Sequence, residues 1–66
     1  MIEIGKIYLV NHDRKGQFVI KVTSVRDDFV TGIILNGHTS TMLHYNEQYE
    51  GELITIRMSL CGFKEK

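Results

Sequence analysis

Along most of this chain apolar and polar residues alternate with a period of two, the repeat of a strand that buries one face. No useful length of it keeps a helical period. In KIYLVN, residues 6–11, Ile7 and Leu9 share one face, and Tyr8 and Val10 share the other. In QFVIKVTSVR, 17–26, Phe18, Ile20 and Val22 lie opposite Val19, Lys21 and Thr23. Val25 then falls out of phase, which predicts a bulge near Thr23–Ser24 or a bend carrying the strand between two sheets. Asp27–Asp28 turns the chain into FVTGIIL, 29–35, where Gly32 marks a bend or a close backbone approach. Asn36–Gly37 is the strongest local signal, because both residues tolerate the positive φ of a type I′ turn. It predicts a tight hairpin into a fourth strand over 38–45. NEQYEGE, 46–52, is polar and acidic and reads as a loop. LITIRMSL, 53–60, is the fifth strand, with Ile54, Ile56, Met58 and Leu60 on one face and Thr55, Arg57 and Ser59 on the other. CGFKEK reads as a tail whose Phe63 can dock.

Five short antiparallel strands, one of them long and bent, predict an all-β single domain over 1–66: a small five-stranded SH3-like barrel. Closing the sheet buries apolar faces that a two-stranded ribbon leaves wet. The rival OB-fold carries a helix between strands three and four, where this chain has only Asn36–Gly37.

With 66 residues the chain is one domain that buries about 60% of its unfolded surface, so a partner subunit paired along an open strand edge would add stability. A single cysteine, Cys61, excludes an intrachain disulfide and suits a reducing compartment. The N-terminal MIEIGKIYLV has an acid before its short apolar run and no basic leader or small-residue cleavage site. No apolar run approaches the roughly 20 residues that span a bilayer. The expectation is a cytoplasmic protein without a membrane partner.

Several of these segments together resemble a group of short bacteriophage and prophage proteins. The resemblance rests on Gly5 and Tyr8; on Asn11, His12, Arg14, Lys15, Gly16 and Phe18; on Thr31–Ile34; and on Glu50, Gly51, Glu52, Ile54 and Arg57. It spans nearly the whole chain and implies a phage origin, hence the host cytoplasm, with no particular chemistry. More loosely, the strand pattern is similar to SH3-like barrels of the KOW and Tudor kinds, a fold-level analogy that fixes no function.

Eight cations balance eight anions, which argues against strong non-specific nucleic-acid binding. The charge is uneven, however. Residues 1–26 carry Lys6, Arg14, Lys15, Lys21 and Arg26 against Glu3 and Asp13, a net +3, and residues 27–66 carry the compensating −3. The basic side centres on NHDRKGQF, 11–18. Arg14 and Lys15 at a loop tip, backed by His12 and extended by Lys21 and Tyr8, are the candidate grip for DNA or RNA, since phosphates pair with cations while bases stack on aromatics. The competing reading is a solvated turn, with Tyr8 half-buried and its hydroxyl at the rim.

The acidic loop supplies the alternative. Tyr45, Glu47, Tyr49, Glu50 and Glu52 resemble a contact patch for a host or phage protein, because tyrosine offers contact area at low entropy cost. An inhibitor or modulator of a protein complex would work this way.

Enzymatic chemistry is not expected. His12, His38, His44 and Cys61 are the candidate metal ligands, but His38 and His44 on one strand would lie about 20 Å apart at ~3.3 Å per residue. No metal or other cofactor is therefore implied. Asp27–Asp28 is a turn pair, the loop glutamates have no partner that would raise a pKa, and Cys61 reads as a small apolar residue at a strand end. No phosphate-binding glycine motif is present.

Overall fold

The alternation becomes one five-stranded antiparallel sheet. The computed structural model describes residues 1–39 and 47–66. Its strands are β1 (Ile7–His12), β2 (Gly16–Arg26), β3 (Phe29–Gly37), β4 (Leu53–Arg57) and β5 (Cys61–Glu65), in the spatial order β4-β3-β2-β1-β5. A 3-10 turn, Met58–Leu60, joins β4 to β5.

Every second residue points into one apolar cluster: Tyr8 and Val10 from β1, Phe18, Ile20 and Val22 from β2, Val30 and Ile34 from β3, Ile54 and Ile56 from β4. Ile2, Val25, Met58, Cys61 and Phe63 pack around it. Phe63 meets the edge of the Tyr8 ring, with centroids 6.0 Å apart. At about 1.5–3 kcal/mol per fully buried large apolar side chain, this one-sided burial is the main stabilising term.

Two register shifts shape the sheet. Val22 pairs with Gly32 but Ser24 with Thr31, so Thr23 is the extra residue, and Val25 returns to the core side. This is the bulge that the broken alternation predicts. Gly32 sits under the same stretch, where an added Cβ would lie 2.8 Å from the Lys21 carbonyl oxygen. The expected close backbone approach is therefore real. The second shift lies between Val19 and Ile20, whose partners are Asn36 and Ile34, leaving Leu35 as the extra residue.

Five expectations are corrected. The sheet is not closed, so the protein is not an SH3-like barrel. β4 and β5 are its two edges, and no ladder joins them among the described residues. Where the chain passes from one to the other, the Met58 amide donates to the Asp28 carbonyl and the Leu60 carbonyl accepts from the Asp13 amide. Those groups are thereby committed to the two neighbouring turns rather than to a closing ladder.

Asn36–Gly37 is not a hairpin turn either. Both residues belong to β3, opposite Val19 and Phe18, and only Gly37 has a positive φ, +82°. The fourth strand expected over 38–45 is not strand at 38–39 and otherwise lies outside the described residues. The segment expected as strand five is β4 plus the 3-10 turn, and the expected tail is β5, which pairs along β1 from His12↔Cys61 to Tyr8↔Glu65.

Candidate nucleic-acid interface

The expected basic loop is a turn built on His12. β1 places its ring in the buried layer, where Nδ1 accepts the Arg14 amide at 3.0 Å and the Lys15 amide at 3.1 Å. Burial, and after it the Lys15 charge, hold the imidazole below its usual pKa of 6.5. A neutral ring is what those two donors require, because a protonated Nδ1 has no lone pair to offer. His12 therefore shapes the loop and does not reach outward from it. Arg14 is exposed and Lys15 half-buried at the end of the β1–β2 ladder.

Tyr8 is not a stacking platform. It is only 3% exposed, and its hydroxyl accepts the Glu3 amide at 2.9 Å. Lys21 is exposed, but it projects from the middle of the sheet between Ile7 and Ile33 and not beside the loop. The five residues grouped by sequence are thus split between the core, the turn and the outer sheet face.

The acidic loop is organised by its own contacts. Thr39 and Gln48 close it, with the Thr39 amide donating to the Gln48 carbonyl and the Gln48 amide donating to Thr39 Oγ1 at 2.8 Å. The Tyr49 ring lies 5.4 Å from the His38 ring, and its amide donates to Glu52 Oε2. Its hydroxyl donates to Glu47 at 2.7 Å; that bond, and the Glu47 charge with it, raises the phenol pKa above 10.0. Glu50 is exposed at the following turn. Tyr45 and His44 lie outside the described residues.

The arrangement that sequence alone does not reveal is on the sheet's outer face. Register sets Arg26, Phe29 and Arg57 side by side across β2, β3 and β4. Phe29 is 42% exposed, and the Arg57 guanidinium lies over its ring, 5.0 Å from the centroid. The next row inward carries hydroxyls: Ser24, Thr31 and Thr55, with Thr31 Oγ1 and Thr55 Oγ1 hydrogen-bonded at 2.8 Å. Beyond it stand Lys21, Ile33 and Leu53, flanked by Ile7, and Lys64 lies opposite Leu9. An open depression of roughly 200 Å³ follows, edged by Leu9, Gln17, Val19 and Asn36.

No strand residue on this face carries a carboxylate among those described. The acids are elsewhere: Glu3 and Glu65 hold Lys6 at 3.4 and 3.1 Å, Asp13, Asp27 and Asp28 sit in turns, and Glu47, Glu50 and Glu52 sit in the acidic loop. Lys21, Arg26, Arg57 and Lys64 make no ion pair among the described residues. Alternation predicts which of these side chains face outward; the row that joins Arg26, Phe29 and Arg57 depends on pairing and on the Thr23 bulge.

Among the described residues no group of three or more His, Cys, Asp or Glu side chains is placed to hold a metal ion. No described helix is long and apolar enough to cross a membrane. Comparison with protein-family models, curated proteins and solved structures gives no match. None of these comparisons bears on the expected likeness to short phage proteins.

Proposed function

We propose that this protein is a non-enzymatic binding module that associates with nucleic acid through the outer face of its sheet. The observation that carries this reading is charge segregation. Lys21, Arg26, Arg57 and Lys64 share a face whose described strand residues include no carboxylate, although the chain as a whole is neutral. Separated charge of this kind produces a local positive potential that net charge conceals. Arg14 and Lys15 stand in the turn before β2, at the opposite end of that strand from Arg26. A lone thiol suits a reducing compartment, and we assign the host cytoplasm on that ground together with the phage resemblance.

The test is titration of labelled DNA and RNA over a range of salt. Four neutralised phosphates give a log–log salt slope of about −3 to −4. Lys21→Glu combined with Arg57→Glu should abolish binding, and Arg14→Ala with Lys15→Ala should weaken it by a smaller factor. A protein partner held by the acidic loop would ignore both pairs of changes and be lost with Tyr49→Ala. Absence of binding to every form of nucleic acid at low salt would overturn the proposal.

A further inference from the structure

The outer face also bears on which form of nucleic acid it fits. Five strands at ~4.8 Å spacing span about 19 Å, wider than the ~12 Å major groove of duplex DNA. The face as a whole cannot enter that groove. It can only lie along a backbone or receive bases that are already unpaired. An exposed aromatic set between cations suits the second case, since every base has a face to stack and a phosphate beside it.

From the Arg26–Phe29–Arg57 row we infer that the ligand is single-stranded, with one unpaired base taking the place of the Arg57 guanidinium on the Phe29 ring and its flanking phosphates held by the two arginines. This inference rests on the proposed nucleic-acid function and deepens it. Phe29 is suited to the role by position. It opens β3 directly after the two-residue Asp27–Asp28 turn, it projects from the face opposite the core, and it is 42% exposed under the guanidinium of Arg57, an exposed side chain free to swing from the ring to a phosphate. Ser24, Thr31 and Thr55 in the adjoining row offer hydroxyls to sugar or phosphate oxygens. Lys21, one row further, meets the backbone as the strand runs along the sheet toward Lys64.

The deciding experiment compares a short single-stranded oligonucleotide with a hairpin duplex of the same composition, as DNA and as RNA, against the wild type, Phe29→Leu and Phe29→Tyr. The wild type should prefer the single strand. Loss of one stacked base should weaken single-strand binding about 5- to 100-fold in Phe29→Leu, with little change in Phe29→Tyr. Duplex binding through the cations should be the same in all three. Amide shifts of the wild type with the single strand should centre on Arg26, Phe29 and Arg57; this readout does not depend on how well a variant folds. Equal affinity for both forms, with shifts that spare Phe29, would overturn the single-strand assignment and leave the nucleic-acid reading standing. Failure to bind either form would overturn both.

Discussion

Asp28 grips Ser59 with both carboxylate oxygens: Oδ1 accepts the Ser59 amide at 3.1 Å, and Oδ2 accepts the Ser59 hydroxyl at 2.6 Å. The Asp28 carbonyl also accepts the Met58 amide at 2.8 Å. One turn residue thereby fastens the β2–β3 hairpin to the link between the two edge strands, in place of the ladder that would close a barrel. Charge-assisted hydrogen bonds are the stronger kind, so Asp28→Ala should cost about 1–2 kcal/mol in urea unfolding. Ser59→Ala should cost less, because the amide bond to Oδ1 survives. If Asp28→Ala leaves the midpoint in place, this clasp does not hold the open sheet together.

His12 makes stability depend on pH. Its folded pKa lies below the ordinary 6.5, so the unfolded chain takes up the proton first as pH falls. The contribution is complete above about 6.5 and is lost as pH drops through the folded value. Physically, the Arg14 and Lys15 amides lose their acceptor. His12→Asn keeps an acceptor oxygen without titrating and should flatten this part of the stability profile. Identical profiles for the two proteins in urea unfolding would contradict the assignment.

At Gly32 the limit is space. A Cβ there would lie 2.8 Å from the Lys21 carbonyl oxygen and 3.1 Å from Ile20 Cδ1, so β2 must shift to admit it. Gly32→Ala should destabilise by about 1–3 kcal/mol, the usual cost of overpacking. Thermal unfolding of the two proteins measures it, and an unchanged midpoint would show that the β2–β3 approach is looser than described.

The Asp27 backbone offers the opposite opportunity. Its φ of +53° lies in the left-handed region, as the first residue of a two-residue hairpin turn. Glycine adopts that conformation without a Cβ clash. Asp27→Gly should raise stability by up to about 1 kcal/mol, less whatever the freer unfolded chain takes back. A fall in the unfolding midpoint would mean that the aspartate side chain stabilises the turn.

Cys61 should be a slow nucleophile. Burial beside the core, and after it the Asp28 charge, push its thiol above 9.0, so little thiolate exists at neutral pH. Reaction with a disulfide reagent should be markedly slower in the native protein than in urea. Equal rates would place the sulfur in open solvent.

The period-two alternation by itself determined that this chain is all-β and which residues can share a core. Phe18, Ile20 and Val22, or Ile54 and Ile56, cannot face apart on a pleated strand. The break at Val25 was legible for the same reason: one extra residue flips every later side chain. The turn chemistry of Asn36–Gly37 was legible too, and misled, because local preference competes with ladder hydrogen bonds. A bulge at Leu35 lets β3 keep its pairing with β2 through Gly37. Cys61–Glu65 shows no clear alternation, yet it is a strand because β1 supplies its partners and Tyr8 receives Phe63.

The candidate site divides the same way. The concentration of cations in the first half of the chain could be read, but not their destinations, since neighbours along a strand point to opposite faces. Only tertiary pairing put Tyr8 in the core, turned His12 inward to hold its own loop, and drew Arg26, Phe29 and Arg57 from three strands into one row. Pairing also decided that the sheet stays open, because hydrogen-bond partners between distant segments are chosen by register and by which groups other turns already hold.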